Sequence, residues 1–103
     1  NPRLKEVSAS VLRKMFNDER YHERAADGQL VLKVIREGHP SPVRSGEPHC
    51  TRSQIVLYRE PSGKSLAIAH QYLRPDGTLG ASGRPDPKRI MKQGVIYAVV
   101  KPG

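Results

Sequence analysis

The chain predicts an α+β fold, with an N-terminal helix packed on a mainly antiparallel sheet of four to five strands. Three observations point there. Apolar residues recur at helical spacing only near the N-terminus, alternating β-branched segments fill the remainder, and Pro and Gly fall between those segments where turns need them. The 103 residues form one domain, 1–103, with room for one small core. At 36% hydrophobic residues with one Phe and no Trp, that core is expected to be aliphatic.

The helix is placed over Val7 to Asp27. Val11, Leu12, Met15 and Phe16 fall on one stripe, and Ser8 or Ser10 can cap its start. With Ser8 as cap, Val7 and Leu12 form a hydrophobic staple. After Phe16 the run NDERYHERAADG is almost wholly polar, so the second half is expected to be exposed, with Tyr21 as its main contact and Gly28 as its stop. Its mixed signs, Asp18 to Arg24, fit a solvated face.

Gln29 to Glu37 alternates and is dense in β-branched residues, a strand. The next segment, GHPSPVRSGEPHCTR, has no period and is read as a long loop carrying His39, Arg44, His49, Cys50 and Arg52. Ser53 to Glu60 and Ser65 to Leu73 form a hairpin around the turn Pro61 to Lys64. On the returning strand Leu66, Ile68, His70 and Tyr72 share a face, and Ala67, Ala69 and Gln71 share the other. The two alanines leave a shallow surface suited to a helix.

Arg74-Pro75-Asp76-Gly77 has the residues of a tight turn, and Thr78 to Ser82 adds a short strand. Asp86 and Pro87 read as the cap and first position of a helical turn reaching Met91 and ended by Gly94. Val95 to Lys101 is apolar on both sides and is placed at the centre of the sheet.

Eighteen Lys and Arg against ten Asp and Glu give a formal charge of +8, which favours an anionic partner, RNA or another polyanion. Cys50 is the only cysteine, so no intrachain disulfide forms and a reducing, cytoplasmic setting fits. No apolar run approaches the roughly 20 residues that span a bilayer, and NPRLKEV lacks the apolar centre of a signal peptide.

Four chemistries can be weighed on the residues. His39, His49, Cys50 and His70 have the types zinc accepts but none of its ligand spacings, so no metal is expected. Cys50 beside His49 and Arg52 lacks a recognisable supporting set for nucleophilic catalysis. Gly80, Ser82 and Gly83 do not match a nucleotide-binding loop, and no cofactor is expected. Metal-independent RNA cleavage needs a proton acceptor of near-neutral pKa and cations against the phosphate. His70 supplies the first, with Lys88 and Arg84 beside it, while Arg52, Arg74 and Arg89 contact the RNA and Tyr72 stacks on a base or donates a proton.

A helix preceding an antiparallel sheet that carries basic residues and a His resembles, at the level of architecture and composition, the small ribonuclease toxins of the RelE and barnase type. The chain departs from barnase in offering no matching Glu and from the RelE group in its long Pro-rich loop. The segment HQYLRPDGTLGASGRPDPKRI is similar to one in small bacterial proteins of no assigned function. What the first resemblance implies is an RNA-engaging domain that cleaves its target through His70. The alternative, of another class, is a non-catalytic module whose positive surface or exposed strand edge docks an acidic protein.

Overall fold

A computed structural model describes residues 3–38 and 46–99 of the chain. His39, Arg44 and the last two residues of the expected strand 95–101 lie outside them. The elements are β1 (Arg3–Val7), α1 (Ala9–Asp18), α2 (Tyr21–Ala26), β2 (Val31–Gly38), β3 (Arg52–Arg59), β4 (Ser65–Leu73), β5 (Asp86–Lys92) and β6 (Val95–Val99). The fold is α+β, with two short helices and a six-stranded mixed sheet in the order β1-β6-β5-β4-β3-β2. All neighbours are antiparallel except β1 and β6, which run parallel. Among the described residues no helix is long and apolar enough to cross a membrane.

The expected helix is two helices. Ser8 caps α1 by accepting a hydrogen bond from the Val11 N–H, and Leu12 and Phe16 enter the core. Arg20 then adopts the left-handed conformation, φ 56. A continuous helix would carry Tyr21, five residues after Phe16, about 140° away from the buried stripe. The break turns Tyr21 back inward, where it is 3% exposed. Val7, expected outside the helix as a staple, is the last residue of β1.

The centre of the core is aromatic rather than aliphatic. Phe16 and Tyr21 lie 5.5 Å apart between ring centroids, and Phe16 and Tyr58 lie 5.4 Å apart and edge-on, a favoured geometry for ring pairs. Leu12, Leu30, Val56 and Ile90 surround them, and Ala67 and Ala69 form the shallow floor. Helix α1 packs on β5 and β6. It leaves Leu32 and Val34 of the outer strand β2 43% and 44% exposed.

Two further expectations are corrected. Residues 86–91 form strand β5 and not a helical turn. Gln93 and Gly94 both have positive φ, 51 and 76, as a tight hairpin between β5 and β6 demands. Thr78 to Ser82 contributes a single bridge, Leu79 to Leu73, rather than a strand. Strand β6 is internal, but it lies next to the edge because β1 covers its far side.

The core assignment separates two adjacent residues of α1. Leu12→Ala is expected to cost about 2–5 kcal/mol, and Val11→Ala, at a surface position, less than about 0.5 kcal/mol. Urea unfolding midpoints of the two variants check this, and equal losses would contradict the burial described.

Candidate functional site

The register of β3, β4 and β5 sorts side chains onto two faces. Gln54, Val56, Tyr58, Ala67, Ala69, Gln71, Pro87 and Ile90 face the helices and are buried. Ser53, Ile55, Leu57, Ile68, His70 and Tyr72 face the other way and are half-buried. His70 is thus on the open face, opposite Ile55 on one neighbour and Asp86 on the other.

Pairing of β4 with β5 stops at His70 and Asp86, while β4 continues to Leu73. The chain from Arg74 turns back on β4, where the Gly80 N–H donates to the Tyr72 carbonyl at 2.8 Å. A cleft of about 830 Å³ opens where the two strands part. His70, Tyr72, Asp86 and Lys88 line it from the sheet, Arg13 and Asn17 from α1, and Ala81 to Pro85 form its rim.

Around the imidazole the geometry is specific. His70 Nε2 and Ser53 Oγ are 2.7 Å apart. The Tyr72 ring stands edge-on to the imidazole at 4.7 Å between centroids. Lys88 is the extra residue of a β-bulge, since Arg89 opposes Ile68 and Pro87 opposes Ala69, and bulges re-aim side chains. Its Nζ donates to Asp86 at 3.0 Å. Partial burial, and then the Lys88 ammonium, hold the His70 pKa below its ordinary value, while Asp86 pulls the other way. The shift favours the neutral ring, the state that accepts a proton.

The candidate residues divide. His70, Tyr72, Lys88 and Arg84 line one cleft. Arg84, however, is latched to the helices, donating to Glu23 Oε2 at 2.9 Å and to Asn17 Oδ1 at 3.1 Å. Arg52 pairs in register with Leu73 and so lies on the helix-side face, where it meets Glu37 at 3.4 Å. Arg74 is bound to the largely buried Glu47 at 2.8 Å. Arg89 shares the open face with Ile68, outside the cleft. Hence Arg52 and Arg74 do not join His70, since each holds a carboxylate elsewhere.

Ser53, Asp86 and Arg13 belong to the site and were not expected. Ser53 could have been found by counting back from the 61–64 turn, and Arg13 from its helical spacing to Asn17; the bulge that brings Lys88 and Asp86 in has no sequence signal here. Among the described residues no group of three or more His, Cys, Asp or Glu is placed to hold a metal.

Glu47 fixes the loop over the cleft. Its carboxylate accepts from Arg74 Nε and from the Ala81 N–H at 3.1 Å, and a Cβ on Gly80 would collide with it. The Arg74 hydrogen bond, then the Ala81 N–H, hold its carboxyl below the usual range. A lowered folded pKa means that this contribution is present above the unfolded pKa and lost as pH falls through the folded one. Protection of the Ala81 amide, its exchange relative to the intrinsic rate at the same pH, should therefore be lost in Glu47→Gln at neutral pH, and in the native chain only when pH drops below the ordinary carboxylate range. Equal exchange in the two proteins would contradict the clamp.

The cause assigned to the His70 shift is testable by proton NMR. Its titration should fall below that of an unperturbed histidine, rise in Lys88→Ala and fall further in Asp86→Asn. Shifts of the opposite sign would remove Lys88 and Asp86 from its surroundings. No protein-family model matches this chain, and no curated protein or solved structure is significantly similar to it.

Proposed function

We propose that the chain engages single-stranded RNA on the open sheet face and cleaves it without metal, with His70 as the proton acceptor. The observation that carries this is a neutral-leaning imidazole in an open cleft beside a cation and an aromatic ring, at 2.7 Å from Ser53 Oγ and 4.7 Å from the Tyr72 ring. With Nε2–H donating to Ser53 Oγ, Nδ1 carries the lone pair that takes the proton of the RNA 2′-hydroxyl. The 2′-oxygen bonds to phosphorus and the phosphorus–O5′ bond breaks. The leaving O5′ takes a proton from the Tyr72 hydroxyl or from water, and the products are a 2′,3′-cyclic phosphate and a free 5′-hydroxyl.

Lys88 is the cation placed to offset charge on the phosphate oxygens. Arg13, on the cleft wall, and Arg89, on the open face, carry no ion pair among the described residues and serve the flanking phosphates. Arg84 acts here by holding the rim against α1 and α2. The formal charge of +8 supports attraction of a polyanion over distance, and a cytoplasmic setting, with RNA at hand and the Cys50 thiol reduced, goes with this function.

A second reading has its own observation. Val31, Leu32, Val34 and Ile35 of the edge strand β2 are 39–47% exposed, a surface that an acidic protein segment could extend by strand pairing. Lys33 at its centre and the bulge between Val34 and Arg36 guard that edge against pairing with a second, equally basic copy.

Labelled oligouridine incubated with chelator tests the first reading. Cleavage should slow by about 10²–10⁴-fold in His70→Ala while binding persists. Binding should weaken with salt by roughly 0.7 logarithmic units for each phosphate engaged. Arg52→Ala, on the opposite face, should change neither. Cleavage unaltered in His70→Ala would dismiss the imidazole, and a flat salt dependence would favour the acidic protein partner.

A further inference from the structure

The open face holds a second hollow. It measures about 310 Å³ and is lined by Arg36, Glu37, Gly38, Ser53 and Ile55. Ile55 also lines the larger cleft, so the two hollows adjoin. Between them stand Ser53 and His70, joined at 2.7 Å. The imidazole lines the larger hollow and its hydrogen-bond partner lines the smaller.

The register puts this in order. Asp86, His70, Ile55 and Arg36 form one cross-strand row over β5, β4, β3 and β2, and Tyr72, Ser53 and Gly38 form a neighbouring one. Arg36 stands two strand intervals from His70, about 9–10 Å between backbones. Two successive phosphates of a strand lying across the row can engage the two. Arg36 is exposed and has no ion pair among the described residues. The carboxylate of Glu37 is turned to the helix-side face, accepting from Gln54 Nε2 at 2.7 Å and meeting Arg52, so it does not oppose an anion beside Arg36. Gly38 leaves its position empty: a Cβ there would meet nothing within 4 Å.

We propose that the small hollow is a subsite for the nucleotide next to the reacting linkage, with its phosphate on Arg36. The substrate class is then an RNA strand that continues past the phosphate over His70, an internal linkage and not a terminal one. This rests on the RNA reading above and adds to it a minimum length and a polarity-defining second contact. Glycine at 38 is explained as well, since any side chain there rises on the Ser53 face into the hollow.

Oligodeoxynucleotides carrying a single ribouridine test this, with no nucleotide, one or two added beyond the linkage on each side in turn. Extension on one side should raise kcat/KM by at least about tenfold, a modest contact by the scale on which tenfold is one logarithmic unit of affinity. Gly38→Val, which suits a strand and fills the hollow, and Arg36→Gln should each abolish that gain through KM while leaving the shortest substrate unaffected. Far-ultraviolet circular dichroism checks that both variants fold. Should RNA bind without being cut, the same comparisons are read in Kd. Cleavage or binding with no dependence on length, or variants that slow the shortest substrate equally, would overturn the subsite and leave the RNA reading standing. No binding of any oligonucleotide would overturn both.

Discussion

Pro85 and Pro87 set the terms on which β5 can join the sheet. Neither has an N–H to donate, and proline within a sheet is confined to edges, strand starts and bulges. Pro87 sits second in β5, beside the bulge at Lys88, and faces Ala69. Before it, only Asp86 remains to oppose His70. The ladder ends there, and the last residues of β4 find their partner in the returning chain at Leu79 and Gly80. The cleft is the gap left by that change of partner, and a bulge beside it carries Lys88 to its wall. A backbone donor is missing, and a site results.

What the sequence conveyed was set by local pattern. The β3–β4 hairpin follows from alternation about a Pro-Ser-Gly turn, and its two faces follow from the same alternation, down to the alanine floor beneath the helices. What it did not convey depends on partners distant along the chain. Strand β1 has five residues, RLKEV, too few to declare themselves, and its parallel pairing with β6 joins the two ends of the domain. Asp-Pro before an apolar pair reads equally well as a helix start or a strand start. The hairpin turn at Gln93-Gly94, which decides for the strand, lacks the Asn or Asp that usually announces it. For the site, His70, Tyr72 and Lys88 were legible because two lie on one strand face and the third follows closely. Which arginines accompany them was not.

The reason lies in how the positive charge is used. Arg52, Arg74, Arg84 and Lys92 each hold a carboxylate far away in sequence, on Glu37, Glu47, Glu23 and Glu19. Arg74 and Arg84 thereby anchor the two ends of the segment that rims the cleft. Apart from Arg74–Glu47, whose carboxylate is largely buried, ion pairs this exposed contribute little to stability, yet they fix where a loop lies. A count of cations cannot separate those that position the chain from those left for a ligand. Arg13, Lys33, Arg36 and Arg89 are among the described cations with no such pairing; the register puts Lys33, Arg36 and Arg89 on the open face, and Arg13 lines its cleft.

The exposure of His70 is itself a consequence of core packing. Successive residues of β4 point to opposite faces, so a shift of register by one would send His70, Leu66 and Ile68 beneath the helices and Ala67, Ala69 and Gln71 into solvent. Phe16, Tyr21 and Tyr58 pack ring against ring in the core, and Ala67 and Ala69 of β4 are fully buried with them. An imidazole under that aromatic cluster would have to displace a ring and surrender its hydrogen bond to Ser53, costs that both oppose the shift. The small residues that let the helices approach on one side thus commit the histidine to the other, where partial burial, ahead of the Lys88 ammonium, lowers its pKa.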